Sequence, residues 1–489
     1  MKPIIWVWLL FAGVLALHLL VAFGTPFLNY DGYETIRNVE SIRATGLPLF
    51  HDSLSFQGRY SIFSPIFYYL LAGISFFMPV IMAAKIVPNV LIALSVFLAY
   101  GIGRRITASS GAGLLIAALV GFLPIGFISL SNTASAYTLL FPLMLLFYYF
   151  MLNIHRKKYS IYALITAVLV TAMHSFAAVF ILGLLVYVLL TRIQESESRR
   201  KTEDIVIFLV LFALWFYLII YKQAFRVEGL SILRQSIPSP LLAQWFSDFS
   251  FVESVYMIGF IPLVLGVYGA YHALLEEREP LMYIFIANII VTGVLLWLKL
   301  VRLNVGLLFL GINLCILAGY AARLGYIYLP KTKVAMLRPY LLAFVLLLVV
   351  ASAIAGISLY RYDTPNQNDV TALSFADAAL PANATIVAFP KEGYFIEYTA
   401  NRKTLLDRNF LLAPQTTERY NAMRIIFTSP FQIPALRALQ EFGADYIYLS
   451  EETQKSLNIT GLAYADKSCF SLIYNNHGKL YRKECALEG

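Results

Sequence analysis

Asp31 and Glu34 stand in the run Asn29-Tyr-Asp-Gly-Tyr-Glu-Thr-Ile-Arg37, just after an apolar stretch that closes at Gly24. Three residues apart, they fall one helical turn from each other and can project from one face into one pocket. A carboxylate next to a bilayer is costly unless it is solvated, paired or used; at mid-bilayer an Asp costs roughly 3 kcal/mol. Two such groups could act as a general base, Asp31 first, or together hold a divalent cation such as Mg or Mn. The plainer alternative is a solvated loop with Asp31 capping a helix. Lys299 and Arg302 end a later apolar run, where they are either snorkelling anchors or ligands of a lipid phosphate. Arg59 is a weaker candidate for the same phosphate. His51-Asp52 could relay a proton, although such a pair is more often an exposed loop, and His174 reads as a residue hydrogen-bonded inside a bundle.

The elements that must position these groups are membrane helices. Of 489 residues, 60% are hydrophobic and 13% charged, and mean hydropathy is +0.72; soluble domains carry about 25% charged residues. The net charge of +9 is no nucleic-acid signal, because the basic clusters flank apolar spans. We expect a polytopic α-helical protein of about eleven spans, each near the length a hydrocarbon core demands. They are Ile4–Phe23, Val80–Gly101, Gly111–Ile128, Tyr137–Leu152, Ile161–His174, Phe176–Leu190, Ile205–Tyr221, Val255–Leu274, Leu281–Leu298, Asn304–Ala321 and Pro339–Leu359. Ser61–Pro79 is also apolar. Leaving it non-spanning puts Lys2, Arg104-Arg105, the cluster from His155 to Lys158 and the cluster from Arg199 to Lys201 on one side, as the positive-inside rule requires. The N-terminus is then cytoplasmic and the C-terminus extracytoplasmic. On the outer side lie an acidic loop, 25–80, and a second loop, 222–254, carrying Trp245, Phe246 and Phe249; ordered loops that long are usually functional.

The membrane domain therefore covers 1–359. From residue 360 to 489 the composition turns to charge, turns and short alternating strands (Thr385–Phe389, Tyr446–Leu449, Ser471–Tyr474) with a helical stretch at Ala435–Phe442, which reads as an α/β domain. Folding a strand–turn–strand about Asn476-His477-Gly478 puts Cys469 opposite Cys485. This predicts a cross-strand disulfide, which fits an oxidising compartment; two free buried thiols are the alternative. Cys315 lies in an apolar span. Asn383-Ala384-Thr385 and Asn458-Ile459-Thr460 are sequons on the same side. No P-loop, GxGxxG after a strand, HExxH or CxxC pair is present, and no inverted repeat marks a transporter.

The layout resembles the GT-C membrane glycosyltransferases, and most closely the catalytic subunit of oligosaccharyltransferase. The resemblance rests on short islands: Asp31 to Arg37 with Gln57-Gly58-Arg59 downstream, Ser110 to Leu114 running into Pro124 to Ser129, and Ala400-Asn-Arg-Lys-Thr-Leu-Leu-Asp407. The departures are as specific. Ser131-Asn-Thr-Ala-Ser-Ala-Tyr137 has no carboxylate where the family has its second acid. Phe389-Pro-Lys-Glu-Gly393 stands where the family has its WWDYG motif, so Lys391 and Glu392 occupy the place of acceptor recognition. Glu228 and Glu253 are the candidates for the family's loop glutamate.

The resemblance implies transfer of a sugar from a polyprenyl-phosphate or polyprenyl-diphosphate donor to a glycan, lipid or protein acceptor at the extracytoplasmic face. It would be an integral protein of the plasma membrane if the source is prokaryotic. Asp31 would be the base or metal ligand, Glu34 would orient the acceptor, and Arg302 with Lys299 would offset charge on the leaving phosphate. A divergent oligosaccharyltransferase and a non-catalytic, carrier-binding relative are the alternatives, with a transporter behind them.

Overall fold

The computed structural model describes residues 3–193, 199–247, 250–328, 336, 338–358, 362–465, 469–476 and 478–487. Lys2, Phe249, His477 and the expected domain boundary between residues 359 and 360 lie outside the described residues. Among the described residues, six helices are long and apolar enough to cross a membrane. The first, α1 (Pro3–Phe23), is apolar all round; only 22% of its apolar window is buried, which leaves the rest for lipid. The helix Leu303–Tyr328 is the opposite case, with 89% of its apolar window buried, so it forms the axis of the bundle. A Cβ added at Gly266 would come within 2.7 Å of the Leu314 carbonyl, so glycine is what lets the helix Phe260–Tyr271 pack against this axis.

Ten of the eleven expected spans map onto these six, onto three shorter apolar helices and onto one broken pair; the eleventh, Ile161–His174, falls on the 17-residue helix Lys157–Met173, which is in none of these groups. The expected span Val255–Leu274 is not one rod. The helices Phe251–Ile258 and Phe260–Glu276 meet at 85°, because Gly259 takes φ 89° and Pro262 follows it. The apolar stretch Ser61–Pro79, at the end of the acidic loop, forms only α3 (Ile66–Ile74). Nine helical residues reach about 14 Å, under half a hydrocarbon core.

Between α1 and α3 the chain forms α2 (Gly32–Thr45), then a small antiparallel hairpin, β1 (His51–Asp52) with β2 (Arg59–Tyr60), around the 3₁₀ turn Ser55–Gln57. The C-terminal region holds a five-stranded sheet in the order β4-β3-β5-β7-β6. Its strands are β3 (Thr385–Val387), β4 (Lys403–Thr404), β5 (Tyr446–Leu449), β6 (Phe470–Asn476) and β7 (Gly478–Lys483). The β4-β3-β5 half is parallel and the β5-β7-β6 half antiparallel. Helix Gln367–Ala379 packs on β6 and β7, while Thr416–Thr428 and Gln432–Glu441 pack on each other and share a core with Ile447 and Leu449 of β5 and Tyr481 of β7. The β6–β7 register corrects the simple hairpin expectation. Pairing runs Asn476↔Gly478 to Tyr474↔Leu480, then shifts by one to Leu472↔Tyr481. A bulge at Ile473 thus sets Cys469 against Glu484, and Cys469 reaches Cys485 one residue further on to form a disulfide.

The acidic loop is fastened into this C-terminal domain. Phe56, at φ 50° and 1% exposed, inserts among Leu405, Phe410 and Phe442; burying such a ring is worth roughly 1.5–3 kcal/mol. Beside it Gln57 Nε2 donates to the Phe442 carbonyl at 2.6 Å, and Thr404 N donates to the Leu54 carbonyl at 2.9 Å. Arg37 makes a bidentate pair with Asp52 at 2.7 and 2.8 Å and also pairs with Glu397. Arg59 faces Asp407 at 3.3 Å from both carboxylate oxygens, donates through Nε to Ser55 Oγ at 2.5 Å, and spends its remaining donors on the carbonyls of Asn409 and Leu411. Removing one member of a buried pair strands the other charge, at a cost of about 3–5 kcal/mol. Asp407→Ala, which leaves Arg59 unpaired, should therefore lower the unfolding midpoint by a loss of that size in denaturant titration of the purified protein. A midpoint equal to wild type would show that the pair contributes nothing.

Candidate active site at the junction of the acidic loop and the C-terminal domain

Asp31 occupies the N-cap position of α2, yet its side chain makes no capping hydrogen bond. It points away from its own helix to Arg408, with Oδ1 accepting from Nη1 at 2.8 Å. Arg408 Nη2 lies 3.6 Å from Asp363, Asp363 pairs with Lys391, and Lys391 Nζ reaches Glu452 at 2.7 Å. This chain of alternating charges joins the loop to the start and centre of the C-terminal domain. The Asp31 carboxylate keeps 39% of its side-chain surface exposed, so it is paired and still open to a substrate.

The backbone that carries Asp31 is held from the membrane side. Asn29 N donates to the Asn132 carbonyl at 3.0 Å, Asn132 Nδ2 donates to the Phe27 carbonyl at 3.0 Å, and Thr35 Oγ1 donates to the Ala134 carbonyl at 3.1 Å. The stretch 131–137, which has no carboxylate, thus clamps the acidic loop with two backbone carbonyls and the Asn132 side-chain amide. Lys85, 2% exposed, donates to the carbonyls of Ala22 at 2.7 Å and Thr25 at 2.5 Å. It satisfies and neutralises the C-terminal end of α1 where the chain turns toward Asp31.

The two acids titrate apart. Burial alone would raise Asp31, but Arg408, Arg302 and Lys391 outweigh it and hold the carboxyl below its usual range. For Glu34 burial wins and pushes the carboxyl up to about 7; attraction to Arg59 opposes it, while Asp407 and Asp31 add to it. Neighbouring acids with divergent pKa values are the electrostatic pattern of divided acid–base roles. Tyr68 and Tyr394 lie within electrostatic reach of Glu34, and the buried Tyr394 hydroxyl has no hydrogen-bond partner among the described residues.

The cations expected to meet a phosphate separate into two kinds. Arg302 sits at the head of the axial helix, is exposed, and has no carboxylate partner among the described residues; its guanidinium lies 5.7 Å from the Trp245 ring centre. Lys299, also exposed, lies 5.7 Å from that of Phe246. Both stay free for a ligand. Arg59 does not, since every donor it has is engaged inside the loop–domain junction, which makes it a strut. Lys391 is held by Asp363 and Glu452, and Glu392 is 1% exposed and accepts from Thr453 Oγ1 at 2.6 Å. Neither presents a free group to an acceptor. Asp52 is fully used by Arg37 and the Leu54 and Ser55 amides, so the His51-Asp52 pair is no relay. His174 packs 4.5 Å from the Tyr137 ring, and its Nδ1 accepts from the Phe176 amide at 3.0 Å.

Among the described residues no three His, Cys, Asp or Glu side chains cluster as a metal site. Asp31 is engaged by a guanidinium and Glu34, pushed up to about 7, is only partly ionised at neutrality, while a hard divalent cation wants several ionised or carbonyl oxygens. This donor set does not fit an Mg or Mn ion. Arg408 escaped the sequence reading although it directly follows the Ala400–Asp407 run. Its position next to Asp407 was the available signal; its partner, 377 residues away, was not.

The fold can be matched to known structures even though no family model matches the sequence and no curated protein matches it. The oligosaccharyltransferase AglB of Archaeoglobus fulgidus, solved with an inhibitory peptide and a dolichol-phosphate, is similar at a TM-score of 0.67 and 12% identity, over 91% of this chain and 69% of that one. A structure of the A. fulgidus oligosaccharyltransferase with Zn and sulfate gives 0.63 at 13% identity, over 97% and 73%. ArnT of Cupriavidus metallidurans bound to undecaprenyl phosphate gives 0.52 at 14% identity, over 98% of both chains. At these identities the likeness is one of fold alone: the chain shares the architecture of these solved structures, in line with the resemblance its sequence islands carry, and its long apolar helices support an integral membrane protein.

Burial raises Glu392 from the ordinary 4.5 to about 8, with Asp369 and Glu452 adding to the shift and hydrogen bonds from Ser450 and Thr453 opposing it. The folded state therefore holds this proton after the unfolded chain has released it. That contribution to stability is complete below about pH 4.5 and is lost as pH rises through about 8. Glu392→Gln should flatten the decline of melting temperature between pH 5 and pH 8 and leave the variant the more stable protein at the upper end. An unchanged slope would place the alkaline loss of stability elsewhere.

Proposed function

We propose that this protein is a membrane glycosyltransferase that transfers a sugar from a polyprenyl-phosphate or polyprenyl-diphosphate donor to an acceptor at the extracytoplasmic face. The observation that carries the reading is the pairing of unlike groups at one site. Two carboxyls of different acidity lie within electrostatic reach of Arg302, a cation with no carboxylate partner among the described residues. Breaking the bond between the sugar's anomeric carbon and the phosphate oxygen leaves negative charge on the lipid phosphate, and Arg302, with Lys299, offsets it. The acceptor nucleophile forms the new bond to that carbon and must lose a proton. Asp31, held below its usual range by the surrounding cations and so anionic at neutral pH, accepts the hydrogen bond that orients the nucleophile. Glu34, near neutrality, is the better matched proton acceptor. Eleven spans with a cytoplasmic N-terminus, the domain division at 359/360 and an extracytoplasmic disulfide fit the same arrangement. The fold likeness supports a lipid-linked donor, since the AglB and ArnT structures were solved with dolichol-phosphate and undecaprenyl phosphate.

Sequon recognition is the less favoured reading, because Lys391 and Glu392 are locked inside the C-terminal domain. A carrier-binding relative without turnover has one observation in its favour: residues 131–137 lack a second carboxylate and serve as a clamp. A panel of polyprenyl-phosphate sugars, with release of the lipid phosphate as readout, separates these readings. Asp31→Asn should lower turnover at least about 100-fold in protein that elutes and melts like wild type. Arg302→Gln should weaken donor binding and slow turnover, with Arg302→Lys partly restoring both. Donor binding without turnover in the wild type would sink the catalytic reading and leave the carrier-binding one.

A further inference from the structure

We infer that the segment 222–234, between the spanning helix that ends at Ile220 and the aromatics over Arg302, lies in the bilayer interface and binds anionic lipid headgroups. The chain leaves the helix Arg199–Ile220 and re-enters helix at Lys222–Glu228, then a 3₁₀ turn at Gly229–Arg234. A single intervening residue, Tyr221, gives it no length in which to leave the membrane surface. Val227 is 70% exposed, Leu230 81% and Leu233 57%. In a 3₁₀ turn residues three apart eclipse, so Leu230 and Leu233 project from the same edge.

The opposite side of the segment is engaged. Ala224 is fully buried, and the Glu228 carboxylate accepts from the Leu412 amide and from Ser236 Oγ, the latter at 2.5 Å. Glu228 is the only acidic residue between Lys222 and Arg234, and these contacts turn it toward the C-terminal domain. What remains outward is an apolar edge rimmed by exposed Lys222, Arg226 and Arg234. Apolar side chains beside cations, continuous with a spanning helix, match an acyl–headgroup boundary carrying negative charge. A little further on, Leu241 is 2% exposed in the core of the C-terminal domain, and Trp245 and Phe246 stack on Arg302 and Lys299. The lipid surface and the domain thus hold the two sides of one strap whose end sets aromatic rings beside the two exposed cations.

The test uses the full chain in nanodiscs. Cys469 and Cys485 are bonded and Cys315 is buried, so a Leu230→Cys variant can be labelled selectively with an environment-sensitive fluorophore; Val227→Cys is the second position, and Asn383→Cys, at an exposed site in the C-terminal domain, is the reference. Quenching by a lipid nitroxide near the carbonyl depth should be strong at Leu230→Cys and absent at Asn383→Cys. It should rise about twofold when phosphatidylglycerol replaces part of a zwitterionic bilayer, and K222Q/R226Q/R234Q should remove that rise. Iodide quenching at Leu230→Cys equal to that at Asn383→Cys would overturn the inference. So would protection from both quenchers, which would mark a protein-covered face, or lipid quenching indifferent to phosphatidylglycerol.

Discussion

Two consecutive residues of the C-terminal domain hold the acidic loop by opposite charges. Asp407 takes Arg59 and Arg408 takes Asp31. Because neighbouring side chains diverge, this crossed pair fixes the loop from both sides of one short segment. The first pair is dry: Asp407 is fully buried and Arg59 is 4% exposed. The second is half open. Desolvation makes the inner pair a rigid strut whose geometry is costly to disturb, while the outer pair keeps a carboxylate accessible. Everything proposed for Asp31 depends on this difference in burial between adjacent contacts.

The same junction explains why Asp31 and Glu34 differ so strongly although one helical turn separates them. Cations from the C-terminal domain and from the axial helix converge on Asp31, whereas Glu34 lies nearer the buried carboxylate of Asp407 and loses more solvent than it gains in attraction. An acid kept ionised and an acid kept near neutrality are what a proton transfer from an oriented nucleophile needs. The field comes from parts of the chain that are remote in sequence, so the site exists only when the C-terminal domain is docked on the loop.

The membrane helices provide the frame. The axial helix presents Arg302 at its head, Lys85 closes the end of α1, and Asn132 with Ala134 grips the loop that follows. The break at Gly259 lets the chain turn through 85° directly after the strap that reaches Trp245. The bundle is thus a scaffold whose helix ends, rather than its interior, carry the groups proposed for chemistry.

Composition and apolar runs determined the membrane class, because burial in lipid demands long uncharged helices whatever their packing. The spacing of Asp31 and Glu34 determined that they share a helix turn, and the alternating strands around Asn476 determined the last hairpin of the sheet. Local pattern also picked out Arg302 at a span end. It could not tell Arg302 from Arg59: both are arginines beside an apolar stretch, and only the fold spends the donors of one on Asp407 and leaves the other against Trp245. Nor could it find Arg408 for Asp31, see that Lys391 and Glu392 turn inward, or anticipate the bulge at Ile473 and the break at Gly259. Hydrophobic periodicity is a property of neighbours along the chain. Charge pairing and burial belong to groups brought together from hundreds of residues apart, and the tertiary structure alone decided them.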